Sequence, residues 1–222
     1  MKRLFAVAVA LLFAVIGCSS QPSVGATTSA APVREINIRV IGDSLTDGTV
    51  IGGRGEANWV NLAWAKLRAD GHTAIVRKDA EGGAGYVERG QHGHRLGDLQ
   101  SGSGDDVVVF FGGSNDAQQP LDVVAAAAAA AFAKTKATDP TAKLIVIGPL
   151  WLYENPPDYA LALRDSIRGQ ADAVGAVFVD PMADRWFVGT GLIGSDRFHP
   201  TDDGHRYLAD KIGPVIEGAL GP

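Results

Sequence analysis

Ile36-Asn37-Ile38-Arg39-Val40-Ile41 runs directly into Gly42-Asp43-Ser44-Leu45-Thr46, and this join between a β-branched run and a glycine-led polar turn decides the reading of the chain. A short, nearly continuous apolar run is the pattern of a strand buried on both faces. Four more such runs follow: Ala74 to Arg77, Val107 to Phe111, Leu144 to Ile147 and Val177 to Val179. Between them lie helical candidates, Trp59 to Ala69, the alanine-rich Leu121 to Lys136, Tyr159 to Val174, and a last one from Gly204 to Ala219. Asp139-Pro140 stops the alanine-rich helix, and Pro156-Pro157-Asp158 introduces the next in a capping arrangement. Alternating strands and helices predict an α/β fold, a three-layer α/β/α sandwich around a five-stranded parallel sheet. In such sheets the loops beyond the carboxyl ends of the strands gather on one edge and form the ligand crevice. Gly42 to Thr46 after the first strand and Gly112-Gly113-Ser114-Asn115-Asp116 after the third are therefore expected to meet there.

The flanks and the bulk composition narrow the possibilities. Of the 222 residues, 46% are hydrophobic and 20% charged, the make-up of one ordinary folded domain. A net charge of -5 without Lys/Arg clusters excludes the basic surface that nucleic acid requires. Met1-Lys2-Arg3, the apolar run Leu4 to Ile16 and the small residues behind it form an export signal, too short to be a comfortable membrane span. Val15-Ile16-Gly17-Cys18 resembles the bacterial lipobox, in which cleavage before the cysteine leaves a thiol that is diacylated. Cys18 is the sole cysteine, so it has no disulfide partner within the chain. The organisation expected is thus a lipoprotein signal over 1–17, a flexible tether over 18–33 and a folded domain over 34–222, exported and held on the outer face of the cell membrane. Removal of Lys2 and Arg3 lowers the formal charge by two, to -7.

Three short blocks carry the chemistry: Gly42-Asp43-Ser44-Leu45, Gly113-Ser114-Asn115-Asp116 and Asp196-Arg197-Phe198-His199-Pro200. In these blocks, in their order, and in their positions behind the first and third strands and near the C-terminus, the chain resembles the SGNH, or GDSL, hydrolase family. The resemblance covers nearly all of the exported domain. It implies a flavodoxin-like SGNH hydrolase fold and a serine esterase acting on carboxylic esters without a cofactor.

The residues support that chemistry independently. A serine hydroxyl becomes a nucleophile only when a base takes its proton, so Ser44 needs an imidazole within hydrogen-bond reach. Of the five histidines, His199 is the best placed. Asp196, three residues upstream, can share its turn, hold the imidazole tautomer and stabilise the protonated ring. Attack on an ester builds charge on the carbonyl oxygen, for which the Ser44 N–H and the Asn115 amide are natural donors. The family adds a glycine N–H from its second block, here Gly82-Gly83-Ala84-Gly85-Tyr86; Gly85 is favoured over Gly83. This block departs from the family in having Asp79 where an asparagine is usual.

Asp43 and Asp116 read as caps for backbone groups rather than proton carriers. His92-Gly93-His94 lacks a third metal ligand, and His72 and His205 read as surface residues. No metal and no cofactor is expected. Neither a Gly-x-Ser-x-Gly nucleophile elbow nor a Walker A loop is present. Trp151 and Tyr153, behind the fourth strand, are candidate substrate-binding walls, with Trp186 and Phe187 as another. The absence of a long insertion that could act as a lid favours short acyl or acetyl esters, of a small molecule or a glycan, and the chain is expected to be a monomer. An O-acyltransferase with the same triad and a non-catalytic envelope-binding lipoprotein are the alternatives.

Overall fold

The computed structural model describes residues 35–221. The signal over 1–17, Cys18 and the tether lie outside them. The described chain runs β1 (Ile36–Gly42), α1 (Ser44–Asp47), α2 (Trp59–Ala69), β2 (Ala74–Ala80), α3 (Leu96–Leu99), β3 (Val107–Phe111), α4 (Leu121–Thr138), β4 (Lys143–Ile147), α5 (Asp158–Ala173), β5 (Val177–Val179) and α6 (Asp202–Leu220). All five strands pair in parallel in the order β2-β1-β3-β4-β5. From β1 the chain goes outward to β2 and then returns across to β3. The switch point, where crossovers part to opposite faces, therefore lies between β1 and β3.

The strands read as continuous apolar runs because both faces are covered. Val107, Val109 and Phe111 of β3, with Ile145 and Ile147 of β4, face the core built with α2 and α6. Val108 and Phe110, with Leu144 and Val146, face the core built with α3, α4 and α5. Ala128 and Ala131 are buried, and their small side chains let α4 approach closely; a β-carbon on Gly97 of α3 would lie 3.2 Å from that of Ala131.

β2 extends three residues past the expected end at Arg77. Among the described residues it is an edge strand paired only with β1, so its outer positions are partly solvated and tolerate Arg77, Lys78 and Asp79. Two of these join a polar cluster beneath the sheet, in which buried Arg39 is paired with Asp79 and, at 2.6 Å, with Asp105, and Arg77 reaches Asp105 at 3.2 Å. α6 likewise begins earlier than expected, at Asp202, because the Thr201 side chain caps it by accepting the Gly204 N–H.

Candidate active site

Ser44 opens α1 at the carboxyl end of β1. Gly42 makes this turn possible, since a β-carbon there would stand 2.2 Å from Thr46 Oγ1. Asp43 caps the turn, its Oδ1 accepting the Leu45 N–H at 2.9 Å. Between β5 and α6 the chain folds back on itself, Ile193 bridging Pro200 and the Gly194 N–H donating to the His199 carbonyl at 2.9 Å. This loop delivers His199 to Ser44. His199 Nε2 lies 2.9 Å from Ser44 Oγ, and its Nδ1 lies 2.6 Å from Asp196 Oδ2.

Asp196 is itself held, because its Oδ1 accepts the N–H groups of Phe198 and His199, each at 3.0 Å. Desolvation works to raise its pKa. The hydrogen bonds from the His199 ring and from these two amides outweigh that effect and bring it down to about 2. The carboxylate is therefore anionic at neutral pH, the state that can hold His199 with Nδ1 protonated and Nε2 free to accept the serine proton.

Asn115 lies in a one-turn helical segment, Ser114–Asp116, behind β3. Gly113 precedes it at φ 110, a left-handed conformation that suits glycine. The Asn115 amide donates to the Ala84 carbonyl at 2.9 Å and to Asp43 Oδ2 at 3.2 Å, so it joins the loop behind β2 to the serine turn. Asp116, fully buried, accepts the N–H groups of Tyr86 at 2.6 Å, Val87 at 3.0 Å and Glu88 at 2.9 Å. Both aspartates thus cap backbone groups. Burial raises the Asp43 pKa to about 7, against the Leu45 hydrogen bond and with the Asp116 charge adding to it; burial also raises that of Asp116.

Gly85 is engaged within its own turn. Its N–H donates to the Glu88 carbonyl at 3.0 Å, and a β-carbon on it would lie 2.3 Å from Asp116 Oδ1. Its lack of a side chain makes room for Asp116, and its amide closes the turn. Gly83 has the left-handed φ of 82, with Gly90 Cα at 3.7 Å from the position of a β-carbon.

Two cavities adjoin the loop that carries His199. One, of about 250 Å³, has apolar walls that include Trp151, Tyr153, Leu163, Met182 and Phe198. The Phe198 ring meets the His199 ring edge-on with centroids 5.0 Å apart. Trp151 packs edge-on against Tyr153 and Tyr159, and the loop holding it is fastened where the Leu150 N–H donates to Ser114 Oγ at 3.1 Å. The second cavity, of about 240 Å³, includes Leu152, Phe187 and Ile193. Phe187 and Trp186 both belong to the core, and of the two only Phe187 also borders this cavity.

His205 departs from its expected surface position. It is buried at 1% exposure, with its Nδ1 accepting the Trp59 N–H at 3.4 Å. His94 Nδ1 lies 2.6 Å from Glu81 Oε2, and Glu81 also accepts the backbone N–H groups of His92 and His94. Glu81 was not singled out by the sequence, although it organises the loop behind β2; its signal was a lone acidic residue in a glycine cluster. Among the described residues no group of three His, Cys, Asp or Glu side chains is placed to hold a metal.

A sequence model of the GDSL-like lipase/acylhydrolase family matches residues 40–207, which span all three chemical blocks. The chain belongs to this family. A GDSL lipase of Mycobacterium tuberculosis is 44% identical over 190 residues, covering 82% of each chain. Solved structures share the fold as well. The structure of TesA matches with a TM-score of 0.69 at 19% identity, covering 82% of this chain and 99% of that one. An acetyl xylan esterase matches at 0.66 and 22% identity, covering 82% and 100%. In the GDSL family framework, the serine block, the Asn115 block and the Asp196-to-His199 block meet at one sheet edge in this chain.

Proposed function

We propose that this carboxylic ester hydrolase cleaves short-chain acyl or acetyl esters with Ser44 as nucleophile, His199 as general base and then acid, and Asp196 as the group that orients and stabilises His199. The observation that carries the reading is the continuous chain from Ser44 Oγ through the His199 ring to Asp196, with both links at hydrogen-bond length. His199 Nε2 takes the hydroxyl proton as Ser44 Oγ attacks the carbonyl carbon. The C–O bond to the alcohol then breaks, and His199 returns the proton to the leaving oxygen. Water repeats the sequence on the acyl-serine and releases the acid.

Charge on the carbonyl oxygen is met by the Ser44 N–H, in the first turn of α1, and by the Asn115 amide. In the free enzyme the two amide hydrogens of Asn115 are directed at Ala84 and Asp43, and the longer bond, 3.2 Å to Asp43, is the one an oxyanion would replace. The 250 Å³ cavity beside Phe198 supports a short acyl chain, because it is too small to enclose a long one. Trp151 and Tyr153 are its substrate-binding walls. The ester itself can belong to a small molecule or to a glycan.

The test is covalent. A fluorophosphonate probe should label the wild-type domain and leave S44A unlabelled, and S44A should lose on the order of 10⁴-fold in turnover of a chromogenic ester. Labelling of S44A at the wild-type rate would remove Ser44 from this role. A panel from acetyl to palmitoyl esters should show kcat/KM falling with chain length. We further propose export as a lipoprotein anchored through Cys18. Incorporation of labelled palmitate in the wild-type chain and its loss in C18A would support that placement, and equal incorporation would overturn it.

A further inference from the structure

Arg197 lies in the middle of the loop that presents His199, and its side chain borders both cavities. Its backbone is at φ 62, a left-handed conformation that is strained for an ordinary side chain and free of strain for glycine. The loop is held in this shape by other groups, chiefly the Arg197 N–H to the Gly194 carbonyl at 3.0 Å and Asp196 to the amides that follow. A long cationic side chain therefore stands at a position where glycine or asparagine would fit more easily.

Its charge is also unanswered. Among the described residues the Arg197 guanidinium has no carboxylate partner and no hydrogen bond. The nearest acid in sequence, Asp196, is committed to His199. Glu154, just beyond Tyr153 on the facing loop, is paired with Arg185. What remains is an exposed guanidinium between two apolar hollows, two residues from the general base.

We propose that Arg197 is a specificity residue which binds an anionic group of the ester, a carboxylate or a phosphate, while the apolar portions occupy the cavities on either side. The inference rests on the esterase reading. The guanidinium fork pairs with either anion through parallel N–H donors, and a contact of this kind distinguishes an anionic ester from a neutral one of equal shape. The anion can belong to the acyl side or the alcohol side, and two substrate pairs separate these sources.

On the acyl side, the mono-4-nitrophenyl ester of glutarate is compared with 4-nitrophenyl 5-methylhexanoate, whose branched end matches the carboxylate in shape. On the alcohol side, 1-butyrylglycerol 3-phosphate is compared with 1-butyrylglycerol. In at least one pair the wild-type domain should prefer the anionic ester by about tenfold or more in kcat/KM. That preference should collapse in R197Q, persist in part in R197K, and decline with added salt. No preference in either pair, or a preference that R197Q leaves intact, overturns the assignment. Failure of the esterase reading looks different, because then the neutral esters are not turned over either.

Discussion

Acid should destabilise this protein through one buried histidine. His205 stands in the first turn of α6 at 1% exposure, and Gly53 packs so closely on its ring that a β-carbon there would lie 2.0 Å from Nε2. Removal from water disfavours the imidazolium. Asp202 opposes this effect and Lys78 and His199 reinforce it, and the pKa falls from 6.5 to about 4. An unfolded chain therefore binds a proton as the pH drops below 6.5, while the folded chain refuses it until about 4. Between those values the unfolded state carries more protons, so stability declines as the pH falls and is unaffected above the window. At about 1.4 kcal/mol per pH unit, the loss reaches about 3 kcal/mol at the acid end. The H205N variant keeps an acceptor for the Trp59 N–H and cannot titrate in this range. Urea unfolding from about pH 4 to about pH 8 should show the wild type losing stability on acidification about 3 kcal/mol faster than H205N. Parallel pH profiles for the two proteins would refute the argument, because every other titrating group is common to both.

Other consequences of the site can be checked directly. N115A should lower kcat about 10² to 10³-fold with a smaller change in KM, measured on a chromogenic acetyl ester, since the amide acts on the transition state. G85A should destabilise the domain by about 2–4 kcal/mol in chemical denaturation, because its β-carbon displaces Asp116 from three backbone amides; G83A, whose β-carbon makes only an ordinary contact with Gly90, should cost about 1–2 kcal/mol for its left-handed φ. A117L should narrow the larger cavity and reduce kcat/KM for hexanoyl relative to acetyl esters about tenfold, read from the same chromogenic panel.

Much of the fold was legible in the chain because the central strands are covered twice. Val107 to Phe111 alternates between two cores and so shows no polar positions, which marks it as a buried strand wherever it packs. The edge strand was harder to delimit. Half-exposed Arg77, Lys78 and Asp79 resemble a loop until Arg39 and Asp105 are found beside them. The burial of His205 is hidden for a related reason: a histidine near a helix start carries no local mark of burial, and it is distant Gly53 and Trp59 that pack against it.

The chain by itself determined which groups could do chemistry and in which turns they sit. Ser44 and Asn115 follow parallel strands whose ends must share an edge, and Asp196 and His199 share one turn. Tertiary structure alone decided the use of Gly85, whose amide was spent on Glu88 and whose missing side chain admits Asp116. It alone left Arg197 unpaired between two hollows, while Arg185 found Glu154. Strand and turn signals are local, set by backbone sterics and by which faces lose water. Hydrogen-bond allocation and charge pairing depend on which distant groups arrive at the same place, and that is fixed only when the layers close.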